Sequence, residues 1–229
     1  MDDIEEEIIP ITEREIKPPP PPPPMEELVI VEDEEEIEEE LEIEEIVINT
    51  HYLSKQIDEF MKNKKFNSKI SLIYEDMKIL GTGGGVFNAA KKFKNDPFFV
   101  FNPDTVWSKH YLKDFKIMEE LYFNNNCKAV LLVVHKNKSF DKTMLGDFNL
   151  TGNLLDRSSD EKNYIYTGSQ IINNSVFGDR KIDIFSMNVI WDSLIKNGEL
   201  MGIKNDEEFF HITNLKIYEQ LTKKNLIFN

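Results

Sequence analysis

The chain has 229 residues, a formal net charge of −15 and a single cysteine, Cys127. One cysteine excludes a disulfide framework, and no run approaches the roughly 18 apolar residues of a membrane-spanning helix. The first residues lack the basic start and apolar block of a secretory signal, so the expected location is the cytoplasm, with no membrane in this chain and no nucleic acid among its partners.

The charge is divided. Residues 1–45 hold 20 Asp or Glu against Arg14 and Lys17, whereas residues 46–229 hold 22 acids and 25 bases, which gives −18 and +3. The first part also has eight of the ten prolines and neither glycine nor an aromatic residue. Pro18 to Pro24 predict a polyproline II rod of roughly 20 Å at about 3.1 Å per residue. Glu32 to Glu45 is a self-repelling carboxylate block, expected to be disordered. Leu28-Val29-Ile30-Val31 is the one β-prone run. With its proline run and the carboxylates around it, residues 1–45 resemble the acidic, proline-rich periplasmic linker of TonB energy transducers. That resemblance implies a spacer or interaction segment.

Residues 46–229 read as one α/β domain. Ile46-Val47-Ile48 predicts a buried strand, Leu53, Ile57, Phe60 and Met61 a helix, and Ile70 to Tyr74 a second strand. Val86 to Phe93 reads as a helix, Phe98 to Phe101 as a strand, and Leu112 to Tyr122 as a helix with one apolar face. Strands follow at Ala129 to Val134 and Tyr164 to Tyr166, then a helix over Ile184 to Ile195. Strands alternating with helices predict βαβ units and a Rossmann-like, mostly parallel sheet. Cys127 adjoins the apolar run and is expected to be an inert buried thiol.

Two motifs carry chemistry. Leu80-Gly81-Thr82-Gly83-Gly84-Gly85 precedes a helix, where unobstructed amides and the helix N-terminus suit close approach by a nucleotide. It is neither a Walker loop nor the spaced dinucleotide fingerprint, and a tight turn explains it as well. Asn102-Pro103-Asp104-Thr105 directly follows a strand, the place where open sheets bind ligands and where a carboxylate can hold Mg²⁺ against phosphates. The alternative is a plain turn.

Taken together, T-G-G-G-V-F-N-A, P-F-F-V-F-N-P-D-T-V-W, I-V-I-N-T-H-Y-L, G-D-F-N-L, Y-T-G-S-Q-I-I and F-S-M-N resemble the sugar-1-phosphate nucleotidylyltransferases. They are of the N-acetylmuramate 1-phosphate uridylyltransferase and mannose-1-phosphate guanylyltransferase type, and the likeness runs from about Ile46 to Leu221. It implies a glycosyltransferase-A-like fold and transfer of a nucleotidyl group from an NTP, UTP or GTP, to a sugar 1-phosphate, with release of pyrophosphate. It further implies that Asp104 is catalytic and binds Mg²⁺, and that Asn102, Gly83, Gly84 and Gly85 lie against the nucleoside. Gly146 and Gly168 would border the sugar phosphate. His51 reads as structural or surface.

The chain departs from that family in three ways. The opening strand with Leu-Ala-Ala-Gly-x-Gly-x-Arg and the following Pro-Lys-Pro, which hold the triphosphate, have no counterpart; the acidic segment stands in their place. Where relatives carry Asp-Val-Gly-Thr-Pro with a second metal ligand, this chain has His211-Ile212-Thr213-Asn214, so His211 becomes the candidate second ligand. Loss of a central strand would leave sheet edges open, and Leu28 to Val31 are the candidate substitute. Three expectations result: an impaired transferase, a TonB-type linker protein, or a non-catalytic chimera of the two joined near residues 37–46.

Overall fold

The computed structural model describes residues 41–75 and 78–227. The polyproline run, most of the acidic block and the strand proposed for Leu28 to Val31 lie outside the described residues. Leu41 already packs against the buried cluster that includes Phe115 and Met118, and Ser68 donates to the Ile43 carbonyl at 2.7 Å. The last residues of the acidic block therefore contact the folded body.

The chain adopts the expected α/β, Rossmann-like class. In order come β1 (Glu45–Thr50), α1 (Ser54–Asn63), β2 (Lys69–Tyr74), α2 (Gly81–Ala90), β3 (Phe98–Phe101), α3 (Leu112–Asn124) and β4 (Ala129–His135). Then follow β5 (Asn149–Thr151), β6 (Leu154–Asp156), β7 (Tyr164–Ile172), α4 (Asn188–Lys196), β8 (Leu200–Asn205) and α5 (Leu215–Lys223). Short β5, β6, β8 and the last helix are absent from the sequence expectation, because three-residue strands and the Gly202-interrupted β8 lack a run long enough to read.

The main sheet has six strands in the order β3-β7-β4-β8-β6-β5, and β1 pairs in parallel with β2 in a separate ladder. Pairing in the main sheet is mixed. β7 lies between β3 and β4 and is antiparallel to both, while β4 and β8 are parallel. Hydrophobic runs reveal strands but not their directions, which is why the expectation of a mostly parallel sheet missed the antiparallel insertion of β7.

β4 explains the two-layer core. From Ala129 to Val134 it is fully buried, as a strand covered on both faces must be. Period-two alternation sends Leu131 and Val133 toward Phe148, Phe87 and Trp191 on one face. Val130 and Leu132 point toward Phe115, Met118 and Ile203 on the other. Helices α2 and α4 thus cover one face and α3 the other.

Helix α2 starts earlier than its sequence suggests, at Gly81, so the glycines lie inside its first turns instead of in a preceding turn. The reason is the segment leading to α4. A Cβ on Gly83 would lie 2.4 Å from the Phe185 ring and one on Gly84 2.3 Å from the Asp183 carbonyl oxygen. The Phe185 carbonyl also accepts from the Gly83 and Gly84 amides at 2.9 and 3.2 Å, capping two of the helix's orphan donors. Residues 183–186 are held against α2 by these bonds, and α4 begins at Asn188 instead of the expected Ile184. On its other side α2 meets β1, where the Asn49 amide donates to the Gly85 carbonyl at 2.6 Å.

Gly84→Ala should therefore destabilise the chain by about 1–3 kcal/mol, the range for forced overpacking. Chemical denaturation measures it, and an unchanged midpoint would show that residues 183–186 do not bear on α2.

Candidate active site

β3 ends at Phe101, and the chain turns through Asn102 and Pro103 to Asp104 and Thr105. Three attachments fix this turn. The Asn102 amide donates to the Gly168 carbonyl at 2.9 Å. The Trp107 indole donates to the Asn102 carbonyl at 3.1 Å, within the aromatic cluster of Phe101, Trp107, Tyr111 and Phe115. A short antiparallel contact then joins residues 104–106 to 210–212: the Ile212 amide donates to the Asp104 carbonyl at 2.7 Å and the Val106 amide to the Phe210 carbonyl at 3.0 Å.

Thr105 stands at the centre. It is buried, and its hydroxyl donates to the Thr167 carbonyl at 2.6 Å while lying 3.1 Å from Nδ1 of His211. His211 stacks on Phe209 with ring centroids 5.7 Å apart and presents Nε2 to Oδ2 of Asp104 at 3.5 Å. Asp104 itself is half exposed, with 49% of its side chain accessible against 16% for His211. An accessible carboxylate beside a held imidazole at a strand's carboxyl end is an arrangement for binding a charged ligand.

Asp141 supports the second wall. Its carboxylate accepts from the Thr143 amide and hydroxyl and from the Thr213 hydroxyl. Those bonds, with Thr213 foremost, hold its pKa below the ordinary carboxylate value. Fully engaged, Asp141 anchors residues 211–213 and is not itself a free ligand.

A third group approaches along β7. Burial, then the nearby carboxylates of Asp104 and Asp147, pushes the Tyr166 phenol far above its usual value, so it remains a proton donor. Its hydroxyl is buried and has no hydrogen-bond partner among the described residues. Asp147 accepts from the Tyr166 amide at 2.9 Å, yet desolvation outweighs that bond and the attraction of Arg157 and Lys162, and raises its pKa. A partly buried carboxyl whose pKa desolvation raises is a candidate functional group.

The structure brings Asn102, Asp104, Gly168 and His211 into one cluster. Gly168 adopts φ +100°, and a Cβ there would lie 2.7 Å from that of Asn102; it serves the cluster by letting β7 approach the turn. Gly146 plays the same part against Lys162, whose carbonyl oxygen would be 2.2 Å from an added Cβ. Gly83, Gly84 and Gly85 lie against Phe185, Asp183, Asn49 and Glu75. Sequence reasoning picked the glycines of G-D-F and Y-T-G and passed over their polar neighbours Asp147 and Tyr166, whose pKa values burial raises. Thr105, beside Asp104, was readable as a motif member but not as the link to Thr167 and His211.

His51 is exposed, with Nδ1 against the Glu75 carbonyl. Cys127 is buried and its thiol is pushed up by desolvation, in keeping with an inert core residue. No helix among the described residues is long and apolar enough to cross a membrane.

Comparison with known proteins agrees with this architecture. No protein-family profile matches the chain. It is 22% identical over 176 residues to the N-acetylmuramate alpha-1-phosphate uridylyltransferase of Caulobacter vibrioides, covering 74% of this chain and 73% of that one. HddC from Yersinia pseudotuberculosis, in a structure with GMP-PN, superposes with a TM-score of 0.64 at 23% identity over 83% of this chain and 82% of the other. A putative glucose-1-phosphate thymidylyltransferase from Bacillus anthracis does so with a TM-score of 0.65 at 14% identity, over 84% and 80%. The chain has the fold of nucleotidyltransferases and is similar in sequence to a sugar-1-phosphate nucleotidylyltransferase.

The raised pKa of Asp147 gives its protonated form an advantage in the folded state. That stabilisation is present below the unfolded value of about 3.9 and is lost as pH rises through the higher folded value. Asp147→Asn, which keeps an acceptor for the Tyr166 amide, should melt higher than the parent at pH 7, with the gap closing toward pH about 4. Thermal unfolding across that range checks it; a gap independent of pH would contradict the assignment.

Proposed function

We propose that this chain is a sugar-1-phosphate nucleotidylyltransferase by descent and chemistry, transferring a nucleotidyl group from an NTP, with UTP or GTP the candidates, to a sugar 1-phosphate. The observation that supports this most is the position of Asp104 at the carboxyl end of β3, facing His211. In the reaction a sugar phosphate oxygen forms a bond to the α-phosphorus while the bond to the β-phosphate oxygen breaks, and pyrophosphate leaves. The attacking group is already an anion, so catalysis rests on alignment and on neutralising charge.

The donor set suits a divalent cation: an accessible carboxylate and an imidazole nitrogen at 3.5 Å. No group of three or more ligating side chains occurs among the described residues, so substrate phosphates would complete the shell, as is common for Mg²⁺. A bound Mg²⁺ would neutralise phosphate charge. Asp104 would hold the ion with His211 beside it, and Asn102 would face the nucleoside. Gly83, Gly84 and Gly85 contribute by letting α2, β1 and residues 183–186 pack closely around the nucleoside side, and Gly146 and Gly168 shape the sugar-phosphate side.

The triphosphate-holding glycine loop with its Arg and Lys has no counterpart in residues 1–45. We therefore assign this chain a low turnover, since one oriented donor contributes about 3 kcal/mol to such transition states. The chimera reading is kept by the same absence; the TonB-type reading rests on residues 1–45 alone.

Pyrophosphate release from UTP or GTP with a panel of sugar 1-phosphates tests the proposal. Release should depend on a divalent ion, and Asp104→Asn should lower kcat/KM by about a hundredfold or more. A rate untouched by Asp104→Asn would refute this site, and a turnover equal to that of a complete relative would refute the impairment.

A further inference from the structure

The positive charge of the folded body is unevenly placed. Residues 46–96 hold nine Lys against five Asp or Glu, whereas residues 97–229 hold 16 bases against 17 acids. Chain direction gathers most of those lysines at one end of the β1–β2 ladder. The two strands are parallel, with Glu45 paired to Lys69, so α1 runs back between them and delivers Lys64 and Lys65 to the end where both strands begin. Helix α2 runs back as well. It meets Asn49 near the close of β1 through Gly85, and Lys92, two residues past its end, reaches the opening of β1. There the bonds from Lys69 and Ser71, with the charge of Lys92 added, hold the Glu45 carboxyl below its ordinary value. Lys65, Lys69, Lys91, Lys92 and Lys94 are all exposed.

The acidic part of the chain arrives at the same end. The Glu44 carbonyl accepts from the Lys69 amide at 2.9 Å, and the Glu45 carboxylate pairs with Nζ of Lys69 at 2.9 Å. Directly before Leu41 stand eight carboxylates in the nine residues Glu32 to Glu40, interrupted only by Ile37. Fully extended, that stretch reaches about 30 Å. We propose that Glu32 to Glu40 lies across this lysine face as its intramolecular partner, continuing the pairing that Glu45 and Lys69 begin. Each exposed pair contributes little alone. Attachment at Leu41 keeps the carboxylates at high local concentration, and a block of like charge relieves its self-repulsion against a surface of opposite sign. β3 starts four residues after Lys94 and runs away from it toward Asp104. The contact therefore lies at the far end of the strands from the candidate active site, and the inference does not depend on the transferase reading.

The test reads paramagnetic relaxation in the full chain carrying a nitroxide on Val31→Cys, one residue before the block, while the buried Cys127 stays unlabelled. The enhancement at the amides of Lys65, Lys69 and Lys91 to Lys94 should be at least about threefold stronger at about 20 mM NaCl than at about 500 mM, where the screening length falls to a few ångströms. Amides of Lys216 and Lys223 on α5 should show no such salt dependence. Combining Lys65→Glu, Lys92→Glu and Lys94→Glu, all at exposed positions, should bring the low-salt enhancement down to the high-salt value. Enhancement that is equal at both salt concentrations, or that persists at low salt in the triple variant, would overturn the proposal. So would enhancement in a mixture of isotope-labelled unmodified chain with spin-labelled chain, since that assigns the contact to a second copy. If the triple variant does not fold, the salt dependence and the mixture decide.

Discussion

The Thr105 hydroxyl is the smallest group on which the most structure depends. By donating to Thr167 and accepting from His211 it ties three remote stretches together: the turn after β3, the start of β7, and the segment before α5. Chain separation makes that costly to arrange, and the short antiparallel contact of residues 104–106 with 210–212 shares the cost. With the hydroxyl in place, Asp104, His211 and Tyr166 occupy one side of the sheet's carboxyl end with their orientations already chosen. Preorganisation of this kind is what charge-stabilising catalysis requires.

Around that point the glycines act as spacers. Gly168 lets the turn at Asn102 touch β7, and Gly83 and Gly84 let residues 183–186 lie along α2. Polar groups then appear where backbones have come close: Asn49 bonds Gly85 and Glu75, and Glu75 in turn accepts from the Leu80 amide at 2.9 Å. These bonds connect the two-stranded ladder to the helix that covers the main sheet. Among the described residues β3 is an edge strand of the six-stranded sheet and β1 pairs with β2 alone.

Much of this was legible in the chain. Continuous apolar runs located β1, β2, β3 and β4, and the spacing of Phe115 and Met118 located α3. Asn102-Pro103-Asp104-Thr105 was readable as a candidate from its place directly after a strand, although a plain turn explained it as well. What was not legible depended on pairing or on distance in sequence. Nothing local in Tyr164 to Ile172 states that it runs between β3 and β4 in the opposite sense. The start of α2 was misread because its cap, the Phe185 carbonyl, lies about a hundred residues away. Likewise the partner of His211 Nδ1 is a threonine 106 residues earlier.

The two tryptophans allow the central claim, that substrate binds at the end of β3, to be measured directly. Trp107 hydrogen-bonds Asn102 in the site, whereas Trp191 bonds the buried Gln170 one layer below. Their indole N–H resonances should separate during a titration with nucleoside triphosphate, sugar 1-phosphate and a divalent ion: Trp107 should move saturably and Trp191 much less. A Trp107 resonance that stays fixed at saturating ligand would contradict the account.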